Sequence, residues 1–533
     1  MTDNIAKKIV ERVDKMRSER ASLETLWKEC HDYTFPLRAS GLSGNVFSAD
    51  QAKSKVAELL TTEGTRGVRD IAAIIVGGMT PANSKWFELV IDDAETDEAE
   101  ALKKASDVIF NMIHASNYDS EAVESMIDNV IAGQSITYIT TNDDDTGYSF
   151  EQWNLADVFI SSTRRDGVID TVYHCYSMTA EQAVTEFAGA VSSKIKDDAA
   201  KNPSQIYKFI HYIAPRTNYI PGSPFNTALS FLSYHIDVDT KSVLRQSGYH
   251  EFPVCVPRWQ KQKNSAYGVG LVYDALPAIK ELNELKRLEK LGLGIAAAGM
   301  YLAQDDGVLN PSMMRIGPGE IITVASTETS VRPLASASNF NVTFSHEDRL
   351  QNEIRAVLMA DQLPPIDSGV RTATEFHVRL QYLRQLLGPV FGRLNSEWLQ
   401  VLVLRCFGLA LRNGWIQLPE TLANRAYNVR YLSPLAQAQR EAEIAPIERF
   451  IGQLGGVMQV APDAIDNVDT DEVTKQLAEK QNLNGVLRKP QDVKKIREVR
   501  AEAQEQQRQQ ELQNQISLVE ATEQAKAQAH EKR

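Results

Sequence analysis

The sequence predicts an α+β chain in which helix predominates. Apolar residues recur at alternating steps of three and four over long stretches toward both ends of the chain. Between residues 134 and 257 the period shortens to two, in runs bounded by turn residues. The composition is 43% hydrophobic and 24% charged, with Gly 29 and Pro 20, which disfavours collagen, wholesale disorder and coiled-coil fibre. With 533 residues, the chain has room for about two to four domains.

The elements follow in order. Ile5, Ile9, Val13 and Met16 share a helical face, and Leu23, Leu26 and Trp27 extend it. Pro36 and the Ser/Gly-rich stretch Ser40 to Ser48 end that helix. Helical spacing resumes from Gln51 to Met79, Thr80-Pro81 turns the chain, and Trp86 to Ile91 reads as a short strand. Glu98 to His114 and Ser120 to Ile131 read as helices, the second capped by Ser120. Six β-rich runs follow: Ser135–Thr141, Tyr148–Trp153, Thr171–Ser177, Tyr207–Ile213, Leu229–Val238 and Val243–Tyr249. They form mostly antiparallel hairpins, interrupted by a helix over Thr179 to Val191.

A long helix is predicted from Asp274 to Ala303. Ile279, Leu282, Leu285, Leu288, Leu291 and Ile295 form its apolar stripe, and Lys280, Lys286, Arg287 and Lys290 its basic side. Its last turns carry Gly292, Gly294, Ala297 and Gly299. Glycine is a poor helix former, so these small residues predict close packing of another helix. Strands and turns occupy Asp305 to Ser338, and Val342 to Asp361 is helical. Gln362 to Thr372 is a loop holding Pro364, Pro365, Asp367, Gly369 and Arg371. Taken alone, it reads as a surface turn between helices. Another long helix carries Phe376, Leu380, Leu383, Leu387, Phe391, Leu394, Trp398 and Val401, with a kink expected at Gly388-Pro389. After Pro419 come short helical pieces broken by Pro434, Pro446 and Pro462. Beyond Pro490 the chain is rich in Gln, Glu and Ala, and is a solvated helix, a self-associating bundle or a frayed end.

Lys+Arg 57 against Asp+Glu 70 leaves a net charge of -13. Proteins that grip DNA phosphates widely are basic, so tight sequence-specific DNA binding is disfavoured while passing contact stays open. Cys30, Cys175, Cys255 and Cys406 are scattered, which predicts free thiols in a reducing compartment. Met1 to Arg20 lacks the apolar core of a signal peptide. The apolar runs Ile71–Met79 and Leu291–Gln304 are shorter than the roughly 20 residues of a membrane span, so buried helices in a cytoplasmic protein are expected.

The sequence offers no catalytic constellation. It holds no Gly-Lys dipeptide, hence no P-loop, and no H-E-x-x-H or G-x-S-x-G. Tyr267-Gly268-Val269-Gly270 has two of the three glycines of a dinucleotide loop and reads as a turn. Asn142 to Gly147 resembles the start of a calcium loop, but Trp153 holds the twelfth place, so it reads as a hairpin turn. His346-Glu347-Asp348 reads as a solvated helix start. No catalytic, cofactor-binding or metal residue is expected, and the chain is read as no enzyme.

The order of elements resembles the portal, or head-to-tail connector, proteins of short-tailed, podovirus-type phages. The resemblance runs from about Glu11 to Leu418 and is strongest over Glu11–Leu37, Pro253–Leu291 and Met359–Trp398. The second stretch holds Tyr-Gly-x-Gly followed by Ala275-Leu276-Pro277 and Leu282-Asn283; the third holds Leu387-Gly388-Pro389. The last hundred residues match weakly. The resemblance implies a dodecameric ring at one capsid vertex, with double-stranded DNA passing through it without sequence specificity. It implies a wing over 1–273, stem helices over 274–303 and 342–361, and a clip over 304–341. It further implies a channel loop over 362–372, a kinked helix over 373–418, and a crown with a polar tail over 419–533. Terminase, tail adaptor, capsid and scaffolding proteins are the implied partners, with no membrane. The virion and, during assembly, the host cytoplasm are the implied locations. A soluble oligomeric scaffold or adaptor without a DNA channel is the competing reading.

Overall fold

A computed structural model describes most of residues 2–298, three short strands between 301 and 333, and residues 340–359, 388–422 and 427–432. It also describes short helical pieces within 449–508. The chain divides into two compact units, Met1–Ala436 and Gln437–Arg533. In the second unit, Arg497 pairs with Asp471, and Phe450 and Val499 are exposed.

In the first unit, α1 (Thr2–Asp32) forms as its spacing dictates. Ala6, Ile9, Val10, Val13 and Met16 are buried against Phe159, Tyr173, Ile210, Tyr234 and Ile236 of a sheet. The helix expected over Gln51–Met79 is two helices, α2 (Ala49–Glu58) and α3 (Glu63–Met79). The break has a tertiary cause. The Leu60 amide leaves the helical ladder and donates to Asn283 Oδ1 at 2.7 Å, while Asn283 Nδ2 donates to the Glu58 carbonyl at 3.1 Å.

β1 (Phe87–Val90), α4 (Thr96–Ala115) and α5 (Tyr118–Ala132) follow. Asn117, not Ser120, stands at the N-cap of α5, and its side chain makes no cap. It instead exchanges hydrogen bonds with the Phe150 backbone, at 2.6 and 3.0 Å. The tertiary pairing has displaced the local one.

The β region holds two sheets. β2 (Thr137–Thr141) pairs with β3 (Tyr148–Gln152) and with β9 (Val254–Cys255). A five-stranded antiparallel sheet runs β4 (Val158–Ser161), β5 (Thr171–Thr179), β6 (Ile206–Pro215), β7 (Phe231–Asp237), β8 (Ser242–Tyr249). β4 escaped the sequence reading because Val158, Phe159 and Ile160 are all buried and show no alternation. Helix α6 (Ala180–Glu186) starts with a capping box between Thr179 and Gln182. Helix α7 (Ser193–Lys201) was also unexpected; its sequence is polar and only Ile195 is buried.

The register places His174, His211 and His235 opposite one another on β5, β6 and β7. The His211 and His235 rings stack with centroids 4.1 Å apart, and His174 stacks on Trp153 at 4.0 Å. Tyr176 Oη lies 3.0 Å from His235 Nδ1, and Ser233 Oγ 2.9 Å from His211 Nε2. Burial pushes His174 down to about 3 and His235 to about 4, and holds His211 well below its ordinary value.

The short strands β10 (Gln260–Lys261) and β11 (Gly268–Val269) pair just before α8 (Leu271–Ala298). α8 stops short of Ala303 because the chain turns into β12 (Tyr301–Gln304). β12 lies between β13 (Ile321–Val324), parallel, and β14 (Val331–Pro333), antiparallel. α9 (Phe340–Val357) returns from this tip. Residues 388–394 are helical, Asn395–Leu399 form a π-helical turn, and α10 (Gln400–Arg412) continues. Asn428–Tyr431, expected among helical pieces, is instead strand β15, paired antiparallel with β1. Its partner lies far upstream, so nothing local announces it. All four cysteines are free thiols.

Candidate assembly site: the paired helices and their hub

α8 and α9 pack side by side. Ile279 and Leu282 of α8, and Leu350 and Ile354 of α9, are almost fully buried. Polar contacts fix the pairing. His346 Nε2 and Glu281 Oε1 lie 2.9 Å apart, and Lys286 bridges Glu289 and Glu347. Burial lowers the Lys286 pKa, but hydrogen bonds from its ammonium to Glu347 and Glu289 outweigh that and raise it. His346-Glu347-Asp348 is therefore not a solvated helix start: it lies inside α9, and Glu347 is buried. The basic side of α8 is largely neutralised, with Lys280 paired to Glu29 and Arg287 to Glu284.

α3 braces the base of the pair through its glycines. A Cβ on Gly67 would meet Leu358 Cδ1 at 2.6 Å, and one on Gly64 would meet Ile279 Cδ1 at 3.0 Å. Arg355 of α9 donates to both oxygens of Glu63, at 3.0 and 2.9 Å, and that hydrogen bonding raises the guanidinium pKa.

The three stretches that carry the resemblance meet in one hub. From the first, the Trp27 ring lies edge-on to Tyr267 at 5.5 Å, and Lys280 sits over Tyr33 at 5.6 Å. Arg20 is buried: it pairs with Glu24, donates to the carbonyls of Leu155 and Ala156 at 3.2 and 2.8 Å, and lies 3.9 Å over Phe159. From the third stretch, Glu397 in the π turn accepts from Arg258 Nε and from the Arg258 amide, both at 3.1 Å, and from Nη2. Arg258 is fully buried and also donates to the carbonyls of Gly167 and Ala266. Cys255 Sγ faces the Trp398 carbonyl at 3.5 Å.

The Tyr-Gly-x-Gly segment, which holds strand β11, serves this hub. A Cβ on Gly268 would lie 2.2 Å from the Gly133 carbonyl oxygen, and one on Gly270 2.3 Å from that of Ile131. The glycines are there for backbone approach between β11 and the end of α5; the segment is not the expected turn, since Gly268 and Val269 form strand β11 against β10. Farther along, Glu251 lies against Gly408 of α10 and pairs with Arg405 and Arg412. Sequence reasoning missed both Arg–Glu clamps. Their only signal is arginine inside an apolar helical or strand run.

Residues 6–485 match the family described as bacteriophage head to tail connecting protein. The chain belongs to that family. It is 27% identical over 535 residues to the "Probable portal protein" of Bordetella phage BPP-1, covering 96% of this chain and 93% of that protein. The portal protein of Salmonella phage epsilon15 is 22% identical, covering 94% and 92%. That of Escherichia phage T7 is 20% identical, covering 85% and 82%. Among solved structures, the neck of an empty GTA particle aligns at a TM-score of 0.35 with 10% identity, over 73% of this chain and 86% of that one. The resemblance to podovirus-type portal proteins and the mixed, mainly helical fold both stand. None of these relatives is named for an enzymatic activity.

Gly292, Gly294 and Ala297 lie in the last turns of α8 and are half-buried or exposed. Beside them Leu288, Leu291 and Leu293 are 50%, 39% and 52% exposed. Gly299 lies outside the described residues, as do Gln362, Pro364, Pro365, Asp367, Gly369 and Arg371. Gly388 and Pro389 are helical, but residues 360–387 are not described, so the expected kink falls outside too. No helix among the described residues is long and apolar enough to cross a membrane.

Proposed function

We propose that this chain is one of twelve identical subunits of a closed portal ring at a capsid vertex. Double-stranded DNA passes through the ring during packaging and ejection, and terminase and tail adaptor proteins dock on it. The observation that carries the reading, beyond family membership, is the far half of α8. Its leucine stripe continues past the last buried position into exposed Leu288 and Leu291, beside small residues that permit close approach. A ring needs such head-to-tail, heterologous contacts.

In this reading 1–273 is the wing, α8 and α9 with their flanks (274–303 and 342–361) the stem, 304–341 the clip, and 373–418 the helix joining wing to crown. The crown and tail follow from 419. Gln362 to Thr372 lines the channel, with Arg371 nearest the phosphates. The net charge of -13 suits a channel in which DNA must slide without sticking. Hydrolysis of ATP belongs to a separate terminase. The subunit works in the virion, after assembly with capsid and scaffolding proteins in the host cytoplasm.

Sedimentation velocity of the purified protein, with class averages from negative-stain images, tests the ring. Closed twelve-fold rings are expected; monomers or dimers alone across micromolar concentrations would overturn the reading in favour of a scaffold without a channel.

A further inference from the structure

A groove of about 1000 Å³ opens beside α1 at the edge of the hub. Five cations line it: Arg12, Arg20, Arg165, Lys261 and Lys263. Two carboxylates, Glu19 and Asp166, oppose them. Both carboxylates already have cations outside the lining, Lys15 at 3.7 Å and Arg164 at 2.6 Å. Arg20 is committed to Glu24 and to backbone carbonyls. Arg165 and Lys263 are exposed, and neither has an ion-pair partner among the described residues. Positive charge is thus concentrated in a concave place on a chain whose net charge is -13, which calls for an anionic occupant.

The same chain presents a preformed anion elsewhere. The β2–β3 hairpin turns through Asn142-Asp143-Asp144-Asp145-Thr146-Gly147. Asn142 Oδ1 accepts from the amides of Thr146 and Gly147 at 2.8 and 3.1 Å, and Trp415 Nε1 donates to the Asp145 carbonyl at 3.2 Å. With the turn fixed, Asp143 and Asp144 are exposed and have no ion-pair partner among the described residues.

The tip cannot reach the groove of its own chain. Just before β2, Gln134 bridges to Arg258, whose guanidinium donates to the carbonyls of Gly167 and Ala266, both groove residues. The tip lies at the other end of β2, about 25 Å away at 3.3 Å per residue. Two complementary patches at opposite ends of a rigid strand match a heterologous contact between copies, in which one patch of each subunit meets the other patch of the next.

We propose that this groove receives the Asp143-Asp144 hairpin tip of the adjacent subunit, with Arg165 and Lys263 facing its carboxylates. The proposal rests on the ring reading. The chain's overall acidity, and the exposed Asp143 and Asp144 that it presents on a fixed turn, unpaired among the described residues, favour this occupant over a phosphodiester backbone.

The test is a charge swap in the full chain. Arg165→Glu with Lys263→Glu should raise the concentration of half-assembly about tenfold near 0.1 M salt, as should Asp143→Lys with Asp144→Lys. All four changes together should return assembly close to that of the unaltered protein. Exposed positions of this kind leave folding nearly unchanged. A fourfold variant no better than the weaker double variant, or double variants that assemble normally, would overturn the pairing while rings persist. Reduced retention of a double-stranded DNA oligonucleotide by Arg165→Glu/Lys263→Glu, with normal assembly, would overturn it in favour of phosphate binding. Monomers of the unaltered protein at every concentration would overturn the ring reading, and the pairing with it.

Discussion

Glu397→Gln probes whether the π turn is held by its ion pair. Arg258 is 0% exposed, and the Glu397 side chain is 12% exposed. The carboxylate accepts from Nε and from the Arg258 amide at 3.1 Å, and from Nη2. Gln keeps the shape and one acceptor oxygen but removes the charge. Arg258 is then left buried without a counter-charge, with one amide oxygen and the Gly167 and Ala266 carbonyls, at 2.9 and 3.3 Å, as acceptors. Breaking one side of a buried pair costs about 3–5 kcal/mol. Because Glu397 is partly hydrated and Gln retains an acceptor, about 3 kcal/mol is expected, at the low end of that range. That is more than a hundredfold in the unfolding equilibrium at about 1.4 kcal/mol per decade. Urea unfolding followed by circular dichroism measures it, with Arg258→Met/Glu397→Leu as the companion. The double variant should lose less than Glu397→Gln alone, since no charge is left buried and unpaired. A loss below about 1 kcal/mol for Glu397→Gln would refute the role, placing the π turn under the control of Trp398 and Leu399 packing.

Two further outcomes follow from the packing and the histidines. Gly268→Ala should destabilise more than Gly67→Ala, because its Cβ meets a backbone carbonyl at 2.2 Å whereas Gly67 faces the end of the Leu358 side chain. Overpacking of the second kind costs about 1–3 kcal/mol, and comparing their denaturation midpoints checks the order. Between pH 7 and 5 the protein should lose stability through His174, His211 and His235. Their folded pKa values lie below the unfolded value near 6.5, so their contribution is whole above that pH and lost as pH falls toward 4. At pH 5, His174 and His235 held neutral cost about 2 kcal/mol each. A flat profile of denaturation midpoint over pH 7 to 5, or one that His211→Gln leaves unaltered, would reject this.

Periodicity made the long elements legible. The stripes of α1, α4 and α8, and six of the larger strands, needed nothing beyond apolar spacing. Failures came where tertiary contact overrode a local signal. Asn283 broke the helix over 51–79 from far away, Phe150 took the Asn117 side chain out of its cap, and β15 formed only because β1 offered an edge. Helix α7 was missed for the opposite reason: with Ile195 as its sole buried residue, it has almost no apolar pattern to read.

The assembly surface was legible in another way, through patterns that outlast their partners. Along α8 the leucines recur at the same spacing from Leu282 through Leu285 and Leu288 to Leu291, and sequence alone predicts one continuous apolar stripe. In the single chain, burial is complete at Ile279 and Leu282 and gives way to open exposure at Leu288, Leu291 and Leu293. A stripe patterned for burial but left open among the described residues supports the proposed burial by another copy. The basic groove carries no such trace, because Arg12, Arg165 and Lys263 come from three separate segments and only the fold gathers them. Asp143 and Asp144 look like ordinary turn residues by themselves. In the proposed contact their meaning depends on the charge of a groove at the far end of their own strand, met in the neighbouring subunit.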